Sequence, residues 1–145
     1  MLKERNVDFE LLVFDESVKD SKSSATASRL DLNKIVKTVT FKDKQKNVFA
    51  VIIRSTERVD KSKVKNFLNS GKLELIQFES VEKYTGFPAG GVPPFGYSAV
   101  FVLDDDLHDD EVVLVGGGTI YSLFKLKISD LKRLCNPRIV CVRQD

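Results

Sequence analysis

A segment rich in glycine and proline, residues 85–97, constrains the fold of this chain more than any other part. It contains four glycines and three prolines, and apolar runs flank it on both sides. Proline removes a backbone donor and fixes φ, whereas glycine permits positive φ and a close approach of the backbone. The segment therefore predicts a stiff, shaped loop. Such loops often carry binding sites, although an ordinary tight connection has a similar composition.

The composition is typical of a globular protein that belongs to no extreme class. Of 145 residues, 42% are hydrophobic and 30% are charged, and the net charge is +2. This length predicts a single domain over residues 1–145. Neither a membrane-spanning run nor a signal peptide is recognisable, and the two cysteines, Cys135 and Cys141, are too few for a disulfide framework. We therefore expect a reduced, cytoplasmic protein with no membrane partner.

Apolar runs alternate with polar turns and short helical patterns along the chain. We predict strands at residues 9–14, 35–41, 48–53, 73–78, 99–103, 112–115 and 140–142. We predict helices ahead of residue 9 and at residues 20–28, 61–70, 80–85 and 130–134. Several strands are almost continuously apolar, which indicates that both faces of the sheet are covered. The predicted fold class is α/β, in the sense of a mixed α+β sheet.

Helix boundaries can also be predicted from individual residues. Asp60 is a suitable N-cap for the helix at 61–70, Val59 and Val64 have the spacing of a hydrophobic staple, and Gly71 suits the end of that helix. In the same way, we expect Ser129 to cap the last helix.

One lysine and two glycine clusters are the first candidates for chemistry. Lys37 lies inside an apolar strand, where it either reaches solvent or sits in a pocket as a directional cation for a phosphate, carboxylate or oxyanion. The pair Gly90–Gly91 and the triplet 116–118 follow or approach strand ends, where N–H groups can form an anion-binding nest. Neither cluster has the spacing of a nucleotide-binding loop.

Two charged regions leave alternatives open. The acidic run 104–111 contains the only histidine, His108, and it indicates either a hydrated turn or, less favourably, a hard-cation site. Many basic residues lie between positions 34 and 72, where they form either a solvated surface or a phosphate-contacting one. With one histidine and no ligand spacing, we expect no metal and no histidine base.

The motifs Lys37-Thr38-Val39 and Thr85-Gly86-Phe87-Pro88, the loop 90–96 and the late glycine cluster together resemble the YbaK/ProX family of aminoacyl-tRNA deacylases. The resemblance covers about residues 5–142, and the glycine- and proline-rich loop is its specific part. It implies a barrel-like mixed sheet of six or seven strands surrounded by short helices. Lys37 matches the functional lysine of the family.

Further site residues are carried over from the resemblance. Those expected to be catalytic are Lys37, Gly91 and Gly96. Those expected to bind substrate are Gly90, Val92, Pro94, Phe95, Asp104, Gly116, Gly117 and Gly118. Backbone N–H groups of the two glycine regions would hold the carbonyl or the amino acid.

The resemblance implies hydrolysis of the ester of a mischarged aminoacyl-tRNA by a positioned water, without a cofactor and without a protein nucleophile. The ester is activated, so positioning and oxyanion stabilisation are sufficient. The expected partners are the acceptor end of aminoacyl-tRNA and an aminoacyl-tRNA synthetase, and not DNA. The alternative is a catalytically silent module that binds tRNA ends or aminoacyl groups.

Overall fold

The computed structural model describes residues 7–29 and 31–145, which contain eight strands and four α-helices. The strands are β1 (Phe9–Val13), β2 (Val36–Lys42), β3 (Val48–Arg54), β4 (Glu74–Leu75), β5 (Val100–Asp104), β6 (Val112–Gly116), β7 (Ser122–Lys127) and β8 (Arg138–Val140). The helices are α1 (Ser21–Ser28), α2 (Lys61–Leu68), α3 (Val81–Thr85) and α4 (Ile128–Cys135). The helix expected ahead of residue 9 falls on the first residues, most of them outside the described ones.

The strands form two sheets. A five-stranded mixed sheet has the order β4-β2-β3-β5-β8, and a three-stranded antiparallel sheet has the order β1-β7-β6. Among the described residues, a parallel bridge between Ile35 and Leu114 joins them where β2 passes β6. The predicted mixed α/β class is confirmed, but no closed barrel forms among the described strands because β2 and β6 separate beyond that bridge.

The buried strand β3 lies at the centre of the larger sheet. Residues Val48–Ile53 are all buried, which explains why this strand shows no polar alternation. On one face, Val51 and Ile53 pack with Val64 of α2. On the other face, Ile52 packs with residues of β6, β7 and α4. Because both faces of the larger sheet are covered, the sheet meets solvent mainly at its edges.

The start of α2 forms as its sequence predicts, but its end differs. The Asp60 carboxylate accepts hydrogen bonds from the N–H groups of Ser62 and Lys63. The residue that leaves the helix in the left-handed conformation is Asn69 (φ 51°), two positions before Gly71. Asparagine tolerates this conformation, and so the helix stops earlier than the glycine indicated.

Three other predicted elements shift. The strand predicted at 73–78 shortens to β4 because the chain turns into a 3-10 helix at Phe78–Ser80. Helix α4 begins at Ile128, and Ser129 therefore lies inside it instead of capping it. The last strand ends at Val140, since the N–H group of Val142 donates to the carboxylate of Asp104 at 3.0 Å.

None of the helices within residues 7–29 and 31–145 has the length and apolar character needed to cross a membrane.

Candidate active site

A cleft of about 450 Å³ opens along the edge of β2 where the two sheets separate. At one end of this edge Ile35 bridges β6, and at the other end Phe41 and Lys42 pair with β4. Between these contacts, residues 36–40 line the cleft. The other walls come from the segment around the start of α1, the β4–α3 connection, the loop at 89–92 and the end of β6.

The peptide groups of Thr38 face this open edge. The N–H of Ser55 in the β3 segment donates to the carbonyl of Ile35, whereas the N–H of Ile76 donates from the other side to the carbonyl of Thr40. Successive residues of an antiparallel strand direct their peptide groups to opposite sides. Thr38 therefore shares the direction of Thr40, and its N–H and C=O point away from β3, toward the cleft.

The side chain of Thr38 is the second polar group at this position. Its Oγ1 is buried and has no hydrogen-bond partner, alone in this respect among the buried side-chain N and O atoms of the described residues. Buried polar atoms are nearly always paired, because an unpaired one costs about 1–3 kcal/mol. An unpaired hydroxyl that lines a cleft is therefore available to a ligand.

Lys37 also lines the cleft and is half-buried. Its ammonium has neither a hydrogen bond nor an ion pair with any described residue. Burial lowers the pKa of Lys37, and the positive charge of Arg58 lowers it further, while Glu57 acts in the opposite direction. The strand thus brings to the cleft a half-buried lysine without an ion-pair partner among the described residues, and the role expected for it stays a prediction.

The two glycine clusters pack against each other. A Cβ on Gly116 would lie 2.2 Å from the carbonyl oxygen of Val92, and one on Gly91 would lie 2.7 Å from the backbone of Thr119. Only residues without a side chain allow this approach. Gly90 similarly faces the backbone of Lys19. Three backbone segments therefore meet at one end of the cleft and close its wall.

Several of the glycine N–H groups are used inside this contact. Gly91 donates to the carbonyl of Pro88 at 2.9 Å, and Gly118 donates to the carbonyl of Gly91 at 2.8 Å. Gly117 donates to the carbonyl of Ser122 at 3.1 Å. The bond from Gly118 joins the two loops, whereas the other two lie within the turns 88–91 and 117–122. These three amides are therefore already engaged within the protein.

The structure brings together some of the predicted site residues and separates others. Those that line the cleft are Lys37, Gly90, Val92 and Gly116. Those that lie outside its lining are Gly91, Pro94, Phe95, Gly96, Asp104, Gly117 and Gly118. The residues of the first group come from three segments, namely β2, the loop at 89–92 and the end of β6, and the close packing of the glycines explains how the last two meet.

Phe95 and its neighbours support the loop from the core. The ring of Phe95 is buried and lies 5.4 Å from that of Phe124, between centroids. The Tyr97 hydroxyl donates to the carbonyl of Pro93 at 2.8 Å, and burial raises the pKa of Tyr97 well above the ordinary range. Gly96 adopts φ +94° where the loop turns back toward β5. These residues fix the loop instead of lining the cleft.

Asp104 lies at the end of β5 and is fully buried. Its carboxylate accepts from the N–H of Val142 and from the guanidinium of Arg143 at 2.7 Å. Asp105 and Cys141 lie close enough to form a metal-ligand group with it. Arg143, however, contacts both carboxylates, and so an arginine supplies the positive charge at this position.

The rest of the acidic run forms the turn between β5 and β6. His108, Asp109 and Asp110 are exposed there, in line with the hydrated turn, and ion pairs hold Asp106 and Glu111. Arg54 bonds to Asp106 at 2.8 Å and to Glu111 at 2.6 Å, and Lys34 reaches Glu111 at 3.2 Å. Burial alone would raise the pKa of Glu111, but the hydrogen bonds, chiefly that from Arg54, lower it to about 2. The run therefore fastens the β5–β6 turn to the end of β3.

Reasoning from the sequence missed the contributions of Thr38, Lys19 and Phe78 to the cleft. The first has a local signal, since a threonine follows the lysine in an otherwise apolar strand. The other two come from segments that the fold alone brings to β2.

The comparisons with known proteins agree with this architecture. A family model described as an aminoacyl-tRNA editing domain matches residues 15–134. A proline–tRNA ligase of Caldicellulosiruptor saccharolyticus is 30% identical over 121 residues, and one of Caldicellulosiruptor bescii is 31% identical over 121 residues. Each match covers 83% of this chain and 21% of the ligase. The chain thus spans about a fifth of the length of these relatives.

Solved structures match nearly the whole chain. A crystal structure of a proposed trans-editing enzyme for prolyl tRNA synthetase superposes with a TM-score of 0.87 at 25% identity, and the match covers 99% of this chain and 92% of that one. A hypothetical protein superposes with a TM-score of 0.90 at 26% identity, covering 99% and 96%. The editing-domain match spans most of the sequence, and the chain belongs to the aminoacyl-tRNA editing domain family.

Proposed function

We propose that this protein is an aminoacyl-tRNA deacylase that hydrolyses the ester of mischarged tRNA in trans. The observation that carries the proposal is the cleft along β2, where the unpaired ammonium of Lys37 and the unpaired hydroxyl of Thr38 adjoin the open edge of the strand. Cation, hydroxyl and free peptide groups on one rigid strand form the kind of preorganised polar site that stabilises a developing oxyanion.

In the proposed reaction, a water attacks the carbonyl carbon of the aminoacyl ester. The carbonyl oxygen becomes an oxyanion in the tetrahedral intermediate, and the Thr38 N–H and the Lys37 ammonium are the donors assigned to it. The ester C–O bond then breaks and the terminal ribose hydroxyl leaves with a proton. The products are a free amino acid and an uncharged tRNA. No protein nucleophile and no cofactor takes part.

The protonation state of Lys37 should make the rate of hydrolysis depend on pH if Lys37 has this role. Because burial lowers the pKa of Lys37, its charged form is lost at a lower pH than for an exposed lysine. Enzyme-catalysed hydrolysis, after subtraction of the spontaneous rate, should fall as the pH rises through that pKa. Lys37→Arg should move the fall to higher pH, since guanidinium stays protonated.

The proposed tRNA is that of proline, because the relatives are proline–tRNA ligases and one structural neighbour carries a matching description. Residues 1–145 would act as one editing domain, in the cytoplasm, alongside a synthetase. A separate editing site is needed because the pocket of a synthetase discriminates against an amino acid one methylene smaller by only about 1–3 kcal/mol.

The test is single-turnover hydrolysis of a panel of mischarged proline tRNAs, including the alanyl and cysteinyl forms. We expect hydrolysis of at least one and a loss of about 10²–10³-fold in Lys37→Met. The matched control is Lys125→Met, which removes a half-buried strand lysine outside the cleft. Binding without hydrolysis by the wild-type protein would instead indicate the silent module, and equal loss in both variants would contradict the role of Lys37.

A further inference from the structure

An exposed aromatic ring stands at the opening of the cleft. Phe78 lines the cleft, yet 70% of its surface is exposed. Leu75 lies beside it in the same lining and is 58% exposed. Burying a phenylalanine is worth about 1.5–3 kcal/mol, and Phe78 forgoes most of that stabilisation. What distinguishes Phe78 from other exposed apolar residues such as Phe67 is its place in the cleft lining, where its ring is available to a ligand.

The backbone beneath Phe78 is firmly held although its ring is exposed. The flanking residues Ile76 and Val81 are buried in one apolar cluster with Val48. Ile76 donates to the carbonyl of Thr40, and Ser80 donates to that of Gln77 at 2.8 Å. The ring is thus presented from an anchored turn, which reduces the conformational entropy that a ligand contact has to overcome.

A basic surface continues from this opening. A depression of about 260 Å³ is lined by Lys42, Lys44 and Lys46 of the β2–β3 hairpin and by Lys72. Two acids share this surface. Asp43 is bonded within its own turn by Gln45 and Asn47, and Glu74 makes only a 3.8 Å pair with Lys72. The lysines outnumber the acids, and the surface favours a polyanion.

The backbone path from Lys37 to Phe78 is short. From Lys37 to Thr40, β2 advances three residues, about 10 Å. Thr40 is bonded to Ile76, two residues before Phe78. An aromatic ring, a cation in a cleft and lysines outside it form the combination that binds single-stranded RNA by base stacking and backbone contact.

We infer that Phe78 is the platform on which the terminal base of the bound RNA stacks, with the hairpin lysines and Lys72 contacting its phosphates. The inference rests on the proposed function, because it places the ester attached to that terminal nucleotide at Lys37 and Thr38. Leu75 extends the platform, and base stacking requires no sequence-specific hydrogen bonds.

The test is a binding cycle with two uncharged RNA minihelices, one with an intact single-stranded 3′ end and one with an abasic terminal nucleotide. Affinities are measured by fluorescence anisotropy for the wild type and for Phe78→Ala. We expect Phe78→Ala to weaken binding of the intact RNA about 5- to 150-fold and to leave binding of the abasic RNA unchanged. Phe78→Trp should retain the affinity for the intact end.

The matched control is Phe67→Ala, which removes a 44% exposed phenylalanine on α2, outside the cleft lining. Equal affinity of the wild type and Phe78→Ala for the intact RNA would overturn the inference and would assign the apolar platform to another partner, such as a protein. If that result accompanies normal hydrolysis by the wild type, the proposed function stands without the platform. If the stacking effect appears but no mischarged tRNA is hydrolysed, the platform stands and the deacylase proposal fails.

Discussion

Replacing Gly116 by alanine adds one methyl group at the tightest contact behind the cleft. The new Cβ would lie 2.2 Å from the carbonyl oxygen of Val92, 2.7 Å from its carbonyl carbon and 3.1 Å from the carbonyl carbon of Gly91. These are backbone atoms, and no side chain can rotate away. The loop at 90–96 therefore has to separate from the turn at 116–118.

The cost follows from two terms. Overpacking of a close-packed contact costs about 1–3 kcal/mol. Separating the loops also stretches the hydrogen bond from Gly118 to Gly91, now 2.8 Å, which contributes about 1 kcal/mol. We therefore expect the free energy of unfolding to fall by about 2–4 kcal/mol, which lowers Tm by about 4–16 °C. Hydrolysis should fall as well, because Val92 and Gly116 both line the cleft.

The assay combines thermal unfolding with single-turnover hydrolysis at a temperature well below both transitions. The control is Gly71→Ala, at a glycine with φ +75° and no atom within 4 Å of the added Cβ. Its cost is confined to the left-handed conformation, about 1–2 kcal/mol, and its activity should be unchanged. If Gly116→Ala keeps the wild-type Tm and full activity, the two loops do not form the cleft wall described above.

Three other perturbations test separate parts of the structure. Asp104→Ala leaves the Val142 N–H and Arg143 without their buried acceptor and should cost about 3–5 kcal/mol of stability, whereas a normal Tm with lost hydrolysis would make Asp104 a substrate ligand. In wild-type protein the folded pKa of Glu111 lies below its ordinary 4.5, so the contribution of Glu111 to stability is complete above pH 4.5 and disappears as the pH falls toward about 2. The difference in Tm between the wild type and Glu111→Gln should therefore close over that pH range. A constant difference would contradict the ion-pair assignment. Exhaustive chelation should leave hydrolysis unchanged, and a loss that added zinc restores would refute metal independence.

Much of the fold follows from local sequence. The apolar run of β3, the polar turn before it and the Asp60 cap all form where the sequence predicts them. These features depend on hydrophobic burial, turn chemistry and capping over a few residues. Predictions failed where two local signals competed, as at Asn69, or where the chain left the sheet early, as at Phe78.

For the candidate site too, some features could be predicted from local sequence and others could not. By itself the sequence identified a lysine inside an apolar strand and two glycine clusters, because residue type and spacing determine where a chain tolerates a buried cation or needs backbone without side chains. Only the tertiary structure decided that Gly91 and Gly116 pack closely against other backbone segments, and that Asp104 pairs with Arg143. It also decided that Thr38 lies unpaired at the open edge of β2. The physical reason is that hydrogen-bond partners and close contacts join segments far apart in sequence, and no local pattern specifies which segments meet.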